Sequence, residues 1–227
     1  MPMLFPPMRI SRSMTIIRDR EDGGLTIVNS MQLSDSGLRQ LDKIGKVRNI
    51  LRVGGFHGRD DAFYRERYGA RIFALSGQVY TSEMMKPVSD PDLGYLQPDV
   101  WLAPGDLPPV QDASLKWFPG CKPAEAILVI AERGGTLVTG DSLQHTPSPT
   151  RYHNWASKIM MKRLDFFKPY NVGPGWVQFA KPQLSDIRSL MQLDFENVLP
   201  GHGDAVIGRA KEKFRPAIEG PIKGCHE

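Results

Sequence analysis

Val47-Arg48-Asn49-Ile50-Leu51-Arg52-Val53-Gly54-Gly55-Phe56-His57-Gly58-Arg59-Asp60-Asp61 joins two kinds of sequence. Its first half, rich in the β-branched residues Val47, Ile50 and Val53 and ending at Val53, predicts a strand. Gly54 and Gly55 break that strand and lead into a loop holding a histidine, an arginine and two aspartates. Glycine turns at strand ends are where α/β proteins place their working side chains. The same arrangement recurs three times: Pro119-Gly120-Cys121, Thr139-Gly140-Asp141 and Pro200-Gly201-His202-Gly203 each follow an apolar run.

Working outward, Met14–Arg18 and Leu25–Val28 flank the turn Glu21-Asp22-Gly23-Gly24 and predict a hairpin. Ser34 is placed to cap a helix that carries Leu38, Leu41 and Ile44 at helical spacing and stops at Gly45. A second helix is expected from Asp60 or Asp61 to Gly69, then a strand over Arg71–Ala74. The stretch from Ser76 to Gln111 reads as long loops around a short strand at Val100–Leu102. Three strands follow in close order at Ala113–Phe118, Ala126–Ala131 and Thr136–Thr139. Helices are expected over Tyr152–Phe167, Leu184–Met191 and Val206–Ile218, with a last strand at Asn197–Leu199. Strands in both halves, each followed by helices, predict an α/β sandwich with helices on its outer faces. One domain over residues 1–227 is expected, with 1–12 and 219–227 as flexible ends.

Composition sets outer bounds. The 227 residues are 41% hydrophobic and 24% charged, which removes disordered and fibrous classes. A net charge of +4 without a concentrated basic stripe speaks against nucleic acid as the partner. The longest uninterrupted apolar run, Ala126–Ala131, is too short to cross a membrane, so no membrane partner is expected. Two cysteines make no disulfide framework, and a reducing, cytoplasmic setting is the simpler expectation. Cys225 is expected on a frayed tail. The segment Trp155–Lys168 mixes Lys158, Lys162, Arg163 and Lys168 with Ile159, Met160, Met161, Leu164 and Phe167. It reads as a basic membrane-facing helix or as a helix packing its apolar side on the sheet, and the second is expected.

The order and spacing of the four loops, from about Met14 to Ile218, resemble the metallo-β-lactamase fold superfamily, which includes glyoxalase II-like hydrolases. Met14–Arg18, Leu38–Val47 and Phe56-His57 look more narrowly like an uncharacterised branch of it. The resemblance implies an αββα sandwich of two mixed sheets flanked by helices. It also implies a hydrolase of ester, thioester or amide bonds acting on a small molecule. The superfamily's metal-binding pattern places His57, Asp61, Asp141 and His202 at matching positions. Arg59, Ala62 and Cys121 stand where it has histidines. One implied site draws on His57, Cys121 and Asp141, the other on Asp61, Asp141 and His202, and these residue types suit zinc, iron or manganese. Arg59 carries a permanent charge, and two like charges ~4 Å apart repel by several kcal/mol at an effective dielectric near 20. A two-metal centre is therefore not expected; one ion or none is.

Arg59 is instead expected among Asp60, Asp61 and Asp141, holding carboxylates or a substrate anion, with Asp61 or Asp141 orienting a water. Taken one at a time, the same residues have plainer readings. His57 and His202 serve equally as loop histidines, Asp141 as a turn former, Asp60-Asp61 as helix caps and Cys121 as a small buried hydrophobe. The alternative to an enzyme is a metal-free binding protein that keeps the fold.

Overall fold

The computed structural model describes residues 9–77, 81–83, 86–87 and 97–225. His226 and the first eight residues, part of the expected flexible ends, lie outside them, as does much of the expected loop region between 76 and 111. The strands are β1 (Thr15–Arg18), β2 (Leu25–Val28), β3 (Val47–Arg52), β4 (Arg71–Leu75), β5 (Thr81–Glu83), β6 (Lys86–Pro87) and β7 (Val100–Leu102). They continue as β8 (Ala113–Phe118), β9 (Glu125–Ile130), β10 (Thr136–Val138), β11 (Leu143–Gln144), β12 (Asn171–Val172), β13 (Asn197–Leu199) and β14 (Val206–Ile207). The helices are α1 (Asp35–Ile44), α2 (Asp61–Tyr68), α3 (Trp155–Arg163), α4 (Pro174–Ala180), α5 (Leu184–Arg188) and α6 (Ala210–Glu219).

Two five-stranded sheets form the centre, ordered β1-β2-β3-β4-β7 and β14-β13-β10-β9-β8. Each mixes parallel and antiparallel pairs: β2, β3, β4 and β7 run parallel, and β13 is parallel to β10 but antiparallel to β14. The period-two alternation of a strand decides which layer each residue enters. On β9, Ala126 and Leu128 meet Val28, Leu51, Val53 and Leu75 of the first sheet, while Ile127 turns to the cluster under α4, α5 and α6. Helices α1 and α2 cover the outer face of the first sheet through Leu38, Leu41 and Tyr64, packed on Ile27, Ile50 and Ile72. The layers are therefore helix, sheet, sheet, helix, as the sequence predicts.

Local signals explain most boundaries. Ser34 accepts the N–H of Gly37 and caps α1. Helix α4 forms where the prolines and glycines of 171–175 hide it from a periodicity reading; Pro174 sits in its first turn, where a missing N–H costs nothing. The helix expected from Val206 starts only at Ala210, because Gly208 and Arg209 take left-handed backbone and free Val206–Ile207 to pair as β14. Helix α3 also departs from expectation: Ser157 and Met161 are buried, but Trp155 and Ile159 face outward.

The site end is sewn together by close backbone approach. Gly201 donates to the Gly140 carbonyl at 3.2 Å, and Asp204 donates to the His145 carbonyl at 2.8 Å. Gly203 has φ +90°, and a Cβ there would lie 2.0 Å from the His145 oxygen. Gly203→Ala should therefore cost at least about 1–2 kcal/mol, lowering the melting temperature by roughly 3–8 °C, as read by calorimetry.

Candidate metal centre

Three loops at the same end of the sandwich meet around Asp141. His57 arrives after β3, Asp141 after β10 and His202 after β13, so three strand ends supply one side chain each. Asp141 Oδ2 lies 3.1 Å from His57 Nε2, and its Oδ1 lies 3.1 Å from His202 Nε2. The three ligand-type atoms fall within 4.8 Å of one another. His57 is fully buried, and the other two side chains are mostly so.

The hydrogen bonding of this trio is incomplete in an informative way. His57 Nε2 and Asp141 Oδ2 are buried and have no hydrogen-bond partner, although only 3.1 Å separates them. They are close without meeting the geometry of a hydrogen bond, and a cation held between them would satisfy both. His202 Nδ1 is 2.8 Å from the Ser11 carbonyl, so that nitrogen carries the proton. A neutral His202 then presents the lone pair of Nε2 toward Asp141, and a backbone carbonyl fixing one imidazole nitrogen is the usual support for a metal-ligating histidine. Two imidazoles and a carboxylate suit zinc, iron or manganese.

In sequence, no family model and no curated protein matches the chain. Solved structures do. The chemotaxis sensor ODP, solved as a peroxy diiron species, matches with TM-score 0.59 at 15% identity over 96% of this chain and 89% of that one. The class B3 di-zinc metallo-β-lactamase LRA-12 from an Alaskan soil metagenome matches with TM-score 0.54 at 14% identity, over 91% of this chain and 83% of that one. A metallo-β-lactamase from Staphylococcus aureus gives TM-score 0.51 at 13% identity over 95% of this chain. The chain has the metallo-β-lactamase fold. It spans 63% of the length of the Staphylococcus aureus protein. At such identities the likeness concerns the fold, and activity has to be argued from the site.

Within this metallo-β-lactamase fold, the residues expected at the site divide into two groups. His57 of one implied site and His202 of the other come together around Asp141, which both sites share. Asp61 does not join them. It is buried at the start of α2, where Arg52 reaches it with two nitrogens at 3.0 and 2.6 Å and the Ser30 hydroxyl donates at 2.5 Å. The reason is strand parity: Ile50 faces the helices, so Arg52 points the same way and meets α2. Arg59, expected among the carboxylates, is exposed and makes no ion pair with Asp60, Asp61 or Asp141 among the described residues. Asp60 is held by Arg12 at 2.8 Å, which also pins part of the segment expected as a flexible end.

Cys121 sits in the core cluster with Phe118 and Trp176, and burial pushes its thiol far up, keeping it neutral. Its sulfur is not in the His57, Asp141, His202 group that converges at the strand ends. Cys225 packs against the same cluster instead of lying on an exposed tail.

Glu125 belongs to the site and has no counterpart in the sequence reading. It is 1% exposed, at the start of β9 between the loops of His57 and Asp141. Its Oε1 accepts the N–H groups of Asp141 (3.3 Å) and Ser142 (3.0 Å), fixing the loop that presents Asp141. Burial, followed by the Asp141 charge, raises its pKa well above the carboxylate range. The available signal is a lone acid opening an otherwise apolar strand. His153 is buried, and its Nε2 has no hydrogen-bond partner among the described residues.

These placements separate two variants that the linear pattern treats alike. Asp61→Asn leaves the buried Arg52 guanidinium without its counter-charge and should cost about 3–5 kcal/mol of stability. Zinc affinity of its folded fraction should change less than about threefold. Asp141→Asn should lower zinc affinity tenfold or more while leaving the chain folded. Thermal melts and zinc titrations of both variants check the assignment.

Proposed function

We propose that His57, Asp141 and His202 hold one divalent metal ion and that the chain is a mono-metal hydrolase of ester, thioester or amide bonds. The observation that carries this reading is the pair of buried atoms, His57 Nε2 and Asp141 Oδ2, brought to 3.1 Å without a hydrogen bond. Leaving both orphaned in the interior costs free energy that a shared cation would remove. When bound, such an ion supplies Lewis-acid activation of water and of a carbonyl oxygen. The chain's own residues do the rest of the work. The Ser11 carbonyl fixes the tautomer of His202, and Glu125 holds the Asp141 backbone in place.

A second reading, a metal-free binding protein, draws support from His202. Burial pulls its imidazole down, but the Asp141 carboxylate more than offsets that, and the pKa ends above its usual value. A proton on His202 would then partly take the place of the metal. The fold leaves room for this, since the solved neighbours include a chemotaxis sensor as well as β-lactamases.

The two readings separate by pH. A histidine pKa raised in the folded state adds stability as pH falls through that value toward the unfolded value of about 6.5, and loses it as pH rises. The metal-free protein should therefore gain stability from pH 8 to pH 6. Zinc at about a hundred times its Kd should add about 2.7 kcal/mol at pH 8, or roughly 5–11 °C, and less at pH 6, where protons compete for the imidazoles. The zinc-loaded chain should also cleave a nitrophenyl ester or a simple thioester faster than the Asp141→Asn variant. No zinc shift at pH 8 would sink the metal reading; a full shift without turnover would leave a metal-binding, non-hydrolytic protein.

A further inference from the structure

Helix α3 is built with its faces reversed relative to an ordinary surface helix. Asn154 caps it by accepting the Ser157 N–H at 3.0 Å, and the Ser157 hydroxyl turns inward to the Asn154 carbonyl at 2.9 Å. Its inner face is Ser157 and Met161. Its outer face is Trp155, Lys158, Ile159, Lys162 and Arg163, all exposed. Trp155 is 53% exposed and Ile159 51%; Tyr152 at 57% and Leu164 at 40% extend the apolar surface at both ends. Helices normally turn such side chains toward the core.

The charge on this face has one sign. From residue 142 to residue 164 there is no aspartate or glutamate, while Arg151, Lys158, Lys162 and Arg163 supply four positive charges. Trp155 and Ile159 are four residues apart, as are Lys158 and Lys162, so apolar and basic rows lie side by side. Tryptophan and aliphatic side chains flanked by lysine and arginine match the boundary between lipid headgroups and acyl chains. A nucleic acid would use the bases' stacking partners and the charges but offers nothing to Ile159 and Leu164. The face also adjoins the candidate metal centre: His153, one residue before the cap, lies near enough to His202 for their charges to interact.

We propose that α3 with Tyr152 and Leu164 docks on the surface of an anionic lipid bilayer, Trp155 and Ile159 entering the headgroup layer and Arg151, Lys158, Lys162 and Arg163 facing the lipid charges. This holds whether or not the site binds metal.

Co-sedimentation of the full chain with vesicles tests it. Vesicles of phosphatidylcholine with about one-third phosphatidylglycerol should pull the protein down at low salt, with pure phosphatidylcholine doing so at least tenfold less well. Lys158→Ala with Lys162→Ala should weaken partitioning by about thirtyfold. Trp155→Ser with Ile159→Ser should weaken it tenfold or more. The lysine variant should keep its melting temperature, because both lysines are exposed, and melts of the Trp155→Ser, Ile159→Ser variant separate loss of binding from loss of folding. Failure to bind the anionic vesicles overturns the proposal. So does unchanged binding by the Trp155→Ser, Ile159→Ser variant, or binding of a short single-stranded RNA in place of vesicles.

Discussion

A carboxylate placed between two imidazoles in a water-poor interior has to be matched by positive charge, and Asp141 is held in that position. Burial alone would raise its pKa, yet His57 and His202 hold it below the usual carboxylate range. The rest of the site end is arranged around this requirement. Gly140 and Gly201 let two loops touch, Glu125 anchors the backbone of Asp141, and Ser11 orients His202. The positive charge is either a metal ion shared by the three side chains or a proton on an imidazole. Everything proposed about function follows from which of the two the chain uses.

The neighbouring acids are satisfied locally. Asp61 is spent on Arg52 and Ser30, and Asp60 on Arg12. Cys121 is spent on the core. What remains is three converging side chains and the deeply buried Glu125.

The fold was legible because it is written in period-two strands and glycine turns: Val47–Val53 into Gly54-Gly55, and Thr136–Thr139 into Gly140, keep their meaning without any tertiary knowledge. His57, Asp141 and His202 were legible for the same reason, each lying three to five residues past a strand end. Asp61 was not, because its partner depends on which way Arg52 points, and that is set by the pairing of β3 with its neighbours. Glu125 was hidden because a carboxylate inside an apolar strand has no linear motif; only the convergence of two loops gives it something to bind. The outward turn of Trp155 and Ile159 was hidden too, since a short helix rich in both lysine and large apolar residues has no unique inner face until Ser157 is fixed by the cap.

Elemental analysis of the chain purified without chelator, beside its Asp141→Asn variant, addresses the central claim directly. The account predicts about one equivalent of zinc, iron or manganese in the parent and a loss of most of it in the variant. Less than about a tenth of an equivalent in the parent, or the same metal content in both proteins, would contradict it.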